Sequence, residues 1–179
     1  MPDYVHNPVM VAEVLRALEP RAGGRYVDGT VGGGGHAAAI LTASSETGWL
    51  FGCDRDGDAV EVARERLAVF SGRFELRQGN FAELADWVPA GSCDGVLLDL
   101  GVSAPQLERA ERGFSFQQDG PLDMRMDRRQ EATAADLVNG ADAGELARIF
   151  WELGGERRAR RVAGWLERER RERRIETTG

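Results

Sequence analysis

Through the first hundred residues, apolar positions alternate between helical spacing and short unbroken runs. Met10, Val14, Leu15 and Leu18 recur on one helical face, and Asn7-Pro8 ahead of them, a capping side chain followed by proline, predicts the helix start. Gly23-Gly24 ends that helix. Tyr26-Val27-Asp28 reads as a short strand running into Gly29-Thr30-Val31-Gly32-Gly33-Gly34-Gly35, and His36 to Ala43 continues as a helix of small residues. Trp49 to Asp54 is a second buried strand. Asp56 is placed to cap a helix over 57–70, with Val60, Ala63, Leu67 and Phe70 facing inward. Phe74 to Gln78 predicts a third strand, and the apolar run Gly95 to Leu100 a fourth. Strands that alternate with helices in this way predict βαβ units and a parallel α/β sheet.

Beyond Leu100 the periodicity lapses. Residues 101–130 are rich in Gly, Pro, Asp and Arg, which predicts a long functional loop. Thr133 and Asp136 form a capping box before a short helix, and two further helices are expected at about 143–153 and 156–172, separated by Gly154-Gly155. The second half therefore reads as entirely helical, with a division into 1–107 and 108–179 and no internal repeat.

Composition narrows the class. In 179 residues, 42% are hydrophobic and 30% charged, the balance of a globular chain. No apolar run approaches membrane-spanning length and MPDYVHNPVM lacks the apolar core of a signal peptide, so a cytoplasmic location is expected. Cys53 and Cys93 sit in or beside apolar runs without metal-ligand spacing, and only two histidines are present, so no metal site is expected. The formal net charge is −7, yet the arginines crowd into 157–174 and lysine is absent throughout.

The glycine loop carries the first chemistry. A strand, then glycines, then a helix lets backbone approach a nucleotide closely. Gly33-x-Gly35-x-x-Ala38 fits a dinucleotide pattern, with Asp54 placed to hold ribose hydroxyls, so an NAD-binding oxidoreductase is one reading. Asp28 favours another. A carboxylate just ahead of the glycines attracts the amino and sulfonium groups of S-adenosylmethionine and repels a pyrophosphate. Phe81, after the third strand, is a candidate to stack on adenine, with core packing as its alternative. Asp99 lies at the carboxyl edge of the fourth strand, where open α/β sheets bind ligands.

The stretch Asp99-Leu100-Gly101-Val102-Ser103-Ala104-Pro105-Gln106 resembles the bacterial small-subunit ribosomal RNA methyltransferase H family. The likeness continues through Arg112-Gly113-Phe114-Ser115-Phe116 and the run Asp119-Gly120-Pro121-Leu122-Asp123-Met124-Arg125-Met126-Asp127, unusual in composition and therefore specific. His6-x-Pro8-Val9-Met10, Tyr26-Val27-Asp28-Gly29-Thr30 and Gly34-Gly35-His36 agree with it, and it reaches Thr177-Thr178. Departures are Ala104 in place of a second serine, Glu108 in place of aspartate, and Leu153-Gly154-Gly155-Glu156 in place of a tyrosine-containing pattern.

The resemblance implies a Rossmann-like, S-adenosylmethionine-dependent methyltransferase sheet of order 3-2-1-4, followed by an all-helical insertion domain. It implies methylation of N4 of a cytidine in the decoding region, with the small ribosomal subunit or its RNA as partner and neither DNA nor membrane. The implied cofactor contacts fall on Gly34, Gly35, His36, Asp54, Phe81, Asp99 and Gln106, joined by Asp28 from the charge argument. Asp99, shared between cofactor and amine, and the loop 101–106 are the candidate acceptors for the amine, and Ser103, Pro105, Arg112, Arg125, Arg160 and Arg161 are candidate substrate contacts. For Arg157, Arg158, Arg160 and Arg161 a solvated face paired with Glu156, Glu167 and Glu169 is the competing expectation. Family members are longer, so a truncated form is expected, and a non-catalytic cofactor-binding fragment stands as a third reading.

Overall fold

The structure, a computed structural model, describes residues 8–179. Those residues divide into two compact units, with the boundary between Ser103 and Ala104. The predicted cap at Asn7 and the motif residue His6 lie outside the described residues.

The first unit is built on four parallel strands, β1 (Arg25–Asp28), β2 (Trp49–Asp54), β3 (Phe74–Gln78) and β4 (Gly95–Leu97), in the order β3-β2-β1-β4. This is the expected Rossmann-like order. Helices α1 (Val11–Leu18), α2 (Gly35–Ala43) and α3 (Gly57–Leu67) connect and cover them. Register explains the layers. Tyr26 pairs with Leu50 and Leu50 with Phe74, so these side chains share one face. Tyr26 and Leu50 join Ile40, Leu41, Val60, Ala63 and Leu67 in the core beneath α2 and α3. On the opposite face Phe51 meets Trp87 edge-on at 5.7 Å, and the guanidiniums of Arg25 and Arg77 lie over Phe51 and Trp87.

Local chemistry accounts for three departures from the expected elements. Helix α1 begins at Val11, because Met10 adopts a left-handed conformation (φ 54°) and is exposed rather than joining the apolar face. The helix expected over 57–70 ends at Leu67, and a 3₁₀ turn over Ala68–Phe70 completes it. Strand β4 stops at Leu97 instead of Leu100. Its last partner is Asp28, where β1 turns away into the glycine loop, and no described strand lies on its other side.

The second unit carries α4 (Ala104–Glu108), α5 (Ala134–Gly140), α6 (Ala143–Glu152) and α7 (Ala159–Glu172). Thr133 and Asp136 form the expected capping box. The α6–α7 connection turns at Gly155 (φ 62°), and α7 starts at Ala159, three residues later than its pattern suggests. Helix α4 and a 3₁₀ turn at Ala110–Arg112 occupy part of the segment expected to be loop. A single antiparallel bridge, Pro121 to Thr177, ties the 112–130 segment to the end of the chain.

Candidate cofactor site

The carboxyl ends of β1 and β2 bring two acids and the glycine loop together. Asp28 is 1% exposed, and its Oδ1 accepts the Thr30 N–H at 3.2 Å. Its Oδ2 is buried with no hydrogen-bond partner. Burial, reinforced by Asp54 and Asp99, pushes the Asp28 carboxyl from 3.8 up to about 7. Asp54 accepts the Gly32 N–H at 2.8 Å through one oxygen and the Asp56 N–H at 2.9 Å through the other. Burial raises its pKa as well, against those hydrogen bonds.

Asp99 lies two residues beyond β4 with its side chain exposed, and its backbone N–H donates to Thr30 Oγ1 at 2.7 Å. Thr30 therefore joins the turn after β1 to the turn after β4, and it holds Asp28 through its own N–H. Thr30 stands in the motif but not among the candidate site residues read from the sequence, and its signal is its place directly after Asp28-Gly29, where a hydroxyl can reach a neighbouring strand end.

The glycines divide by role. A Cβ on Gly34, at φ 78°, would lie 3.1 Å from the Ala63 Cα, so this glycine lets the loop pack on α3. One on Gly35 would meet the Pro8 ring at 2.8 Å. Both predicted cofactor contacts thus have a packing duty that the sequence pattern alone did not separate from ligand approach. Gly32, at φ 50°, faces comparatively open space and gives its N–H to Asp54.

His36 is largely buried on α2, and its Nε2 lies 2.8 Å from the Val9 carbonyl oxygen. Its ring is committed to holding the segment ahead of α1, which leaves the first-turn backbone N–H groups of α2 as its means of contacting a ligand. Phe81, capped into a 3₁₀ turn by Asn80, is 36% exposed. Its Cβ comes within 3.0 Å of where a Gly29 Cβ would be, which places it at the end of β1 beside Leu98. Cys53 is core, with its Sγ 3.6 Å from the Gly29 carbonyl and its thiol pushed up to about 12 by burial.

Ser103 is half-buried at the end of the first unit. The remaining predicted residues belong to the second. Gln106 is buried on α4, with Pro105 beside it half-buried. Arg112 is 3% exposed, and its guanidinium donates to the Arg125 and Met126 carbonyls. Arg125 pairs with Asp123 at 2.7 Å and donates to the Gln130 carbonyl at 2.6 Å. These two arginines brace the 112–130 segment from within. Arg160 and Arg161 are exposed on α7.

The fold and the acid-lined loop set a class of site, and comparison with known proteins sets the family. Residues 3–179 match the MraW methylase family. The chain belongs to that family. It is 56% identical to the ribosomal RNA small subunit methyltransferase H of Citrifermentans bemidjiense over 99% of this chain and 58% of that protein. It is 54% identical to the protein of the same name from Geotalea uraniireducens, over the same shares of each chain. The Symbiobacterium thermophilum protein of that name is 51% identical over 98% of this chain and 56% of its own length. The chain thus spans somewhat more than half the length of these curated relatives. Among solved structures, a methyltransferase from Geobacter sulfurreducens overlaps 63% of this chain and 57% of its own at 23% identity and a TM-score of 0.41, too distant to bear on the site.

The residues present fit a cationic, ribose-bearing cofactor. A buried carboxylate with an unpartnered oxygen suits an ammonium group, and the coupled acids Asp28, Asp54 and Asp99 disfavour a pyrophosphate beside the glycine loop.

Proposed function

We propose that the protein is an S-adenosylmethionine-dependent methyltransferase that modifies N4 of a cytidine in the decoding region of small-subunit ribosomal RNA, and that it works in the cytoplasm on the small subunit or its RNA. The observation that carries the reading is the buried Asp28 carboxylate, one oxygen unpartnered, at the mouth of a strand–glycine–helix turn. Family membership supports the reaction class, and the names of the relatives support the RNA.

S-adenosylmethionine, when bound, supplies a methyl group made electrophilic by its sulfonium. The protein's own work is alignment. Asp28 holds the cationic end, and Asp54 retains acceptor capacity for ribose hydroxyls beyond the two N–H groups it already takes. Phe81 offers a flat face at the end of β1, suited to adenine.

The cytosine amine is a poor nucleophile, because its lone pair is delocalised into the ring. An acceptor on one of its N–H bonds returns electron density to nitrogen, and Asp99, exposed at the β4 end, is assigned that role. The base has to leave any helical stack to reach such a site. Ser103 and Pro105 follow Asp99 in the chain and are assigned to substrate contact. Arg112 and Arg125 shape the 112–130 segment, while Arg160 and Arg161 contact phosphate. The helical second unit serves as the substrate-recognition insertion.

The test is transfer of labelled methyl groups to small-subunit RNA. It is run with this chain and with the Citrifermentans relative, each also carrying alanine at the Asp99 position. Label on cytosine N4, reduced about 100-fold or more by the substitution, is expected of a group acting on the proton. Label on a ring carbon or a ribose hydroxyl, or full turnover in Asp99→Ala, would contradict the assignment.

A further inference from the structure

Two sets stand out among the arginines of 157–174, with Arg168 and Arg173 exposed and belonging to neither. Arg170 donates to the Val138 and Ala141 carbonyls, Arg171 pairs with Glu167, and Arg174 pairs with Asp136 and Glu176. Arg170 and Arg174 thereby tie α7 and the residues after it to α5 and its end, while Arg171 pairs within α7. Arg157, Arg158, Arg160 and Arg161 make no such contact. Their guanidiniums are exposed and make no ion pair or side-chain hydrogen bond among the described residues. Glu156, the nearest acid in sequence, accepts a backbone N–H from Arg158 instead.

All four line one groove of about 930 Å³ between α6 and the start of α7. Arg148 and Trp151 line its other wall from α6, and Trp151 is 59% exposed. Ala143 and Ala147, one helical turn apart, leave the width between the walls. Helices α6 and α7 pack on one another, and Leu146, Ala159 and Ala163 on them are buried.

Four guanidiniums without an ion pair, grouped around a solvent-facing indole, make a local positive patch on a chain whose net charge is −7. Guanidiniums in this number suit a run of phosphates, and an exposed indole beside them suits a base, which any nucleotide can present. We infer that this groove binds single-stranded RNA, with backbone phosphates on Arg157, Arg158, Arg160 and Arg161 and one base stacked on Trp151. The groove is a docking site for flanking RNA, separate from the chemistry at the strand ends. The inference rests on the RNA-modifying reading above and adds the strand state of the RNA and the residues that hold it.

The test is fluorescence anisotropy of the chain with a labelled oligouridylate of about ten nucleotides, a length within the usual span of single-strand sites. The expected logarithmic salt slope is about −3, the release expected for four neutralised phosphates on a single strand. Trp151→Ala should weaken binding about tenfold and leave that slope unchanged, and Trp151→Phe should restore most of the loss. Arg160→Ala with Arg161→Ala should weaken binding and reduce the slope by about 1.4. Circular dichroism checks the fold of each variant.

Unchanged affinity in Trp151→Ala, tighter binding of duplex RNA, or equal competition by inorganic polyphosphate or a glutamate peptide would overturn the inference. A chain that binds S-adenosylhomocysteine but no RNA also overturns it, and leaves the cofactor site standing. A chain that binds RNA through Trp151 but no S-adenosylhomocysteine upholds it, and removes the cofactor reading instead.

Discussion

At the scale of single residues, the proposed cofactor role of Asp28 sets stability against ligand binding. Its carboxyl titrates near 7 in the folded chain against an ordinary 3.8. Between those values the folded state keeps a proton that the unfolded state has lost. Its contribution to stability is therefore fully present below pH 3.8 and is lost as pH rises towards 7. Asp28→Asn is expected to raise the melting temperature at pH 8 while weakening S-adenosylhomocysteine, because the amide relieves the buried charge and gives up the ammonium partner. In the unsubstituted chain, affinity for that ligand should be about tenfold lower at pH 6 than at pH 8, since only a minority of Asp28 is ionised at the lower pH. Calorimetry at the two values reads this directly, and a flat profile would remove Asp28 from the site.

Gly34 makes the complementary case. Gly34→Ala should cost at least about 1 kcal/mol in urea unfolding, through its φ of 78° and a Cβ that would press on the Ala63 backbone. The glycine run announced a backbone requirement in the sequence. Which glycine serves packing and which faces open space could be assigned only once α3 was in place beside the loop.

At the scale of elements, β1 and β2 are legible because each has an apolar stretch closed by an aspartate and followed by turn chemistry, and β3 because Phe74 and Leu76 alternate with Glu75 and Arg77. The apolar run overstates β4, which is Gly95–Leu97. Leu98 and Leu100 continue the apolar run, but a strand also needs a partner, and β1 has turned away by then. The start of α1 was misplaced for a related reason, since a left-handed Met10 leaves no mark in periodicity. Helix α4 was missed because five residues around Pro105 are too few to show a period.

The exposed side chains around β4 carry their own prediction. Val96 is 58% exposed, Leu98 43% and Leu100 69%, beside a strand edge that no described strand pairs. Sedimentation should therefore detect concentration-dependent self-association of this chain, and Val96→Lys should reduce it. A monomer at all concentrations would mean that the edge is protected in some other way.

At the scale of the whole molecule, the proposed function divides its labour between the two units. The first brings Asp28, Asp54, Asp99 and Phe81 to the strand ends, and the second concentrates unpaired positive charge on a chain whose overall charge is negative. Net charge concealed that separation, and the arginine run in the sequence pointed to it without resolving which members were structural. Arg170 and Arg161 look alike in sequence. Only the carbonyls of Val138 and Ala141 distinguish them.

The central claim is that the acid-lined turn after β1 takes S-adenosylmethionine, and calorimetric titration of this chain with S-adenosylhomocysteine, with NAD as the control, tests it most directly. The account predicts saturable, one-to-one binding of S-adenosylhomocysteine, lost in Asp28→Asn, and no heat from NAD. Binding of NAD with none of S-adenosylhomocysteine would contradict it.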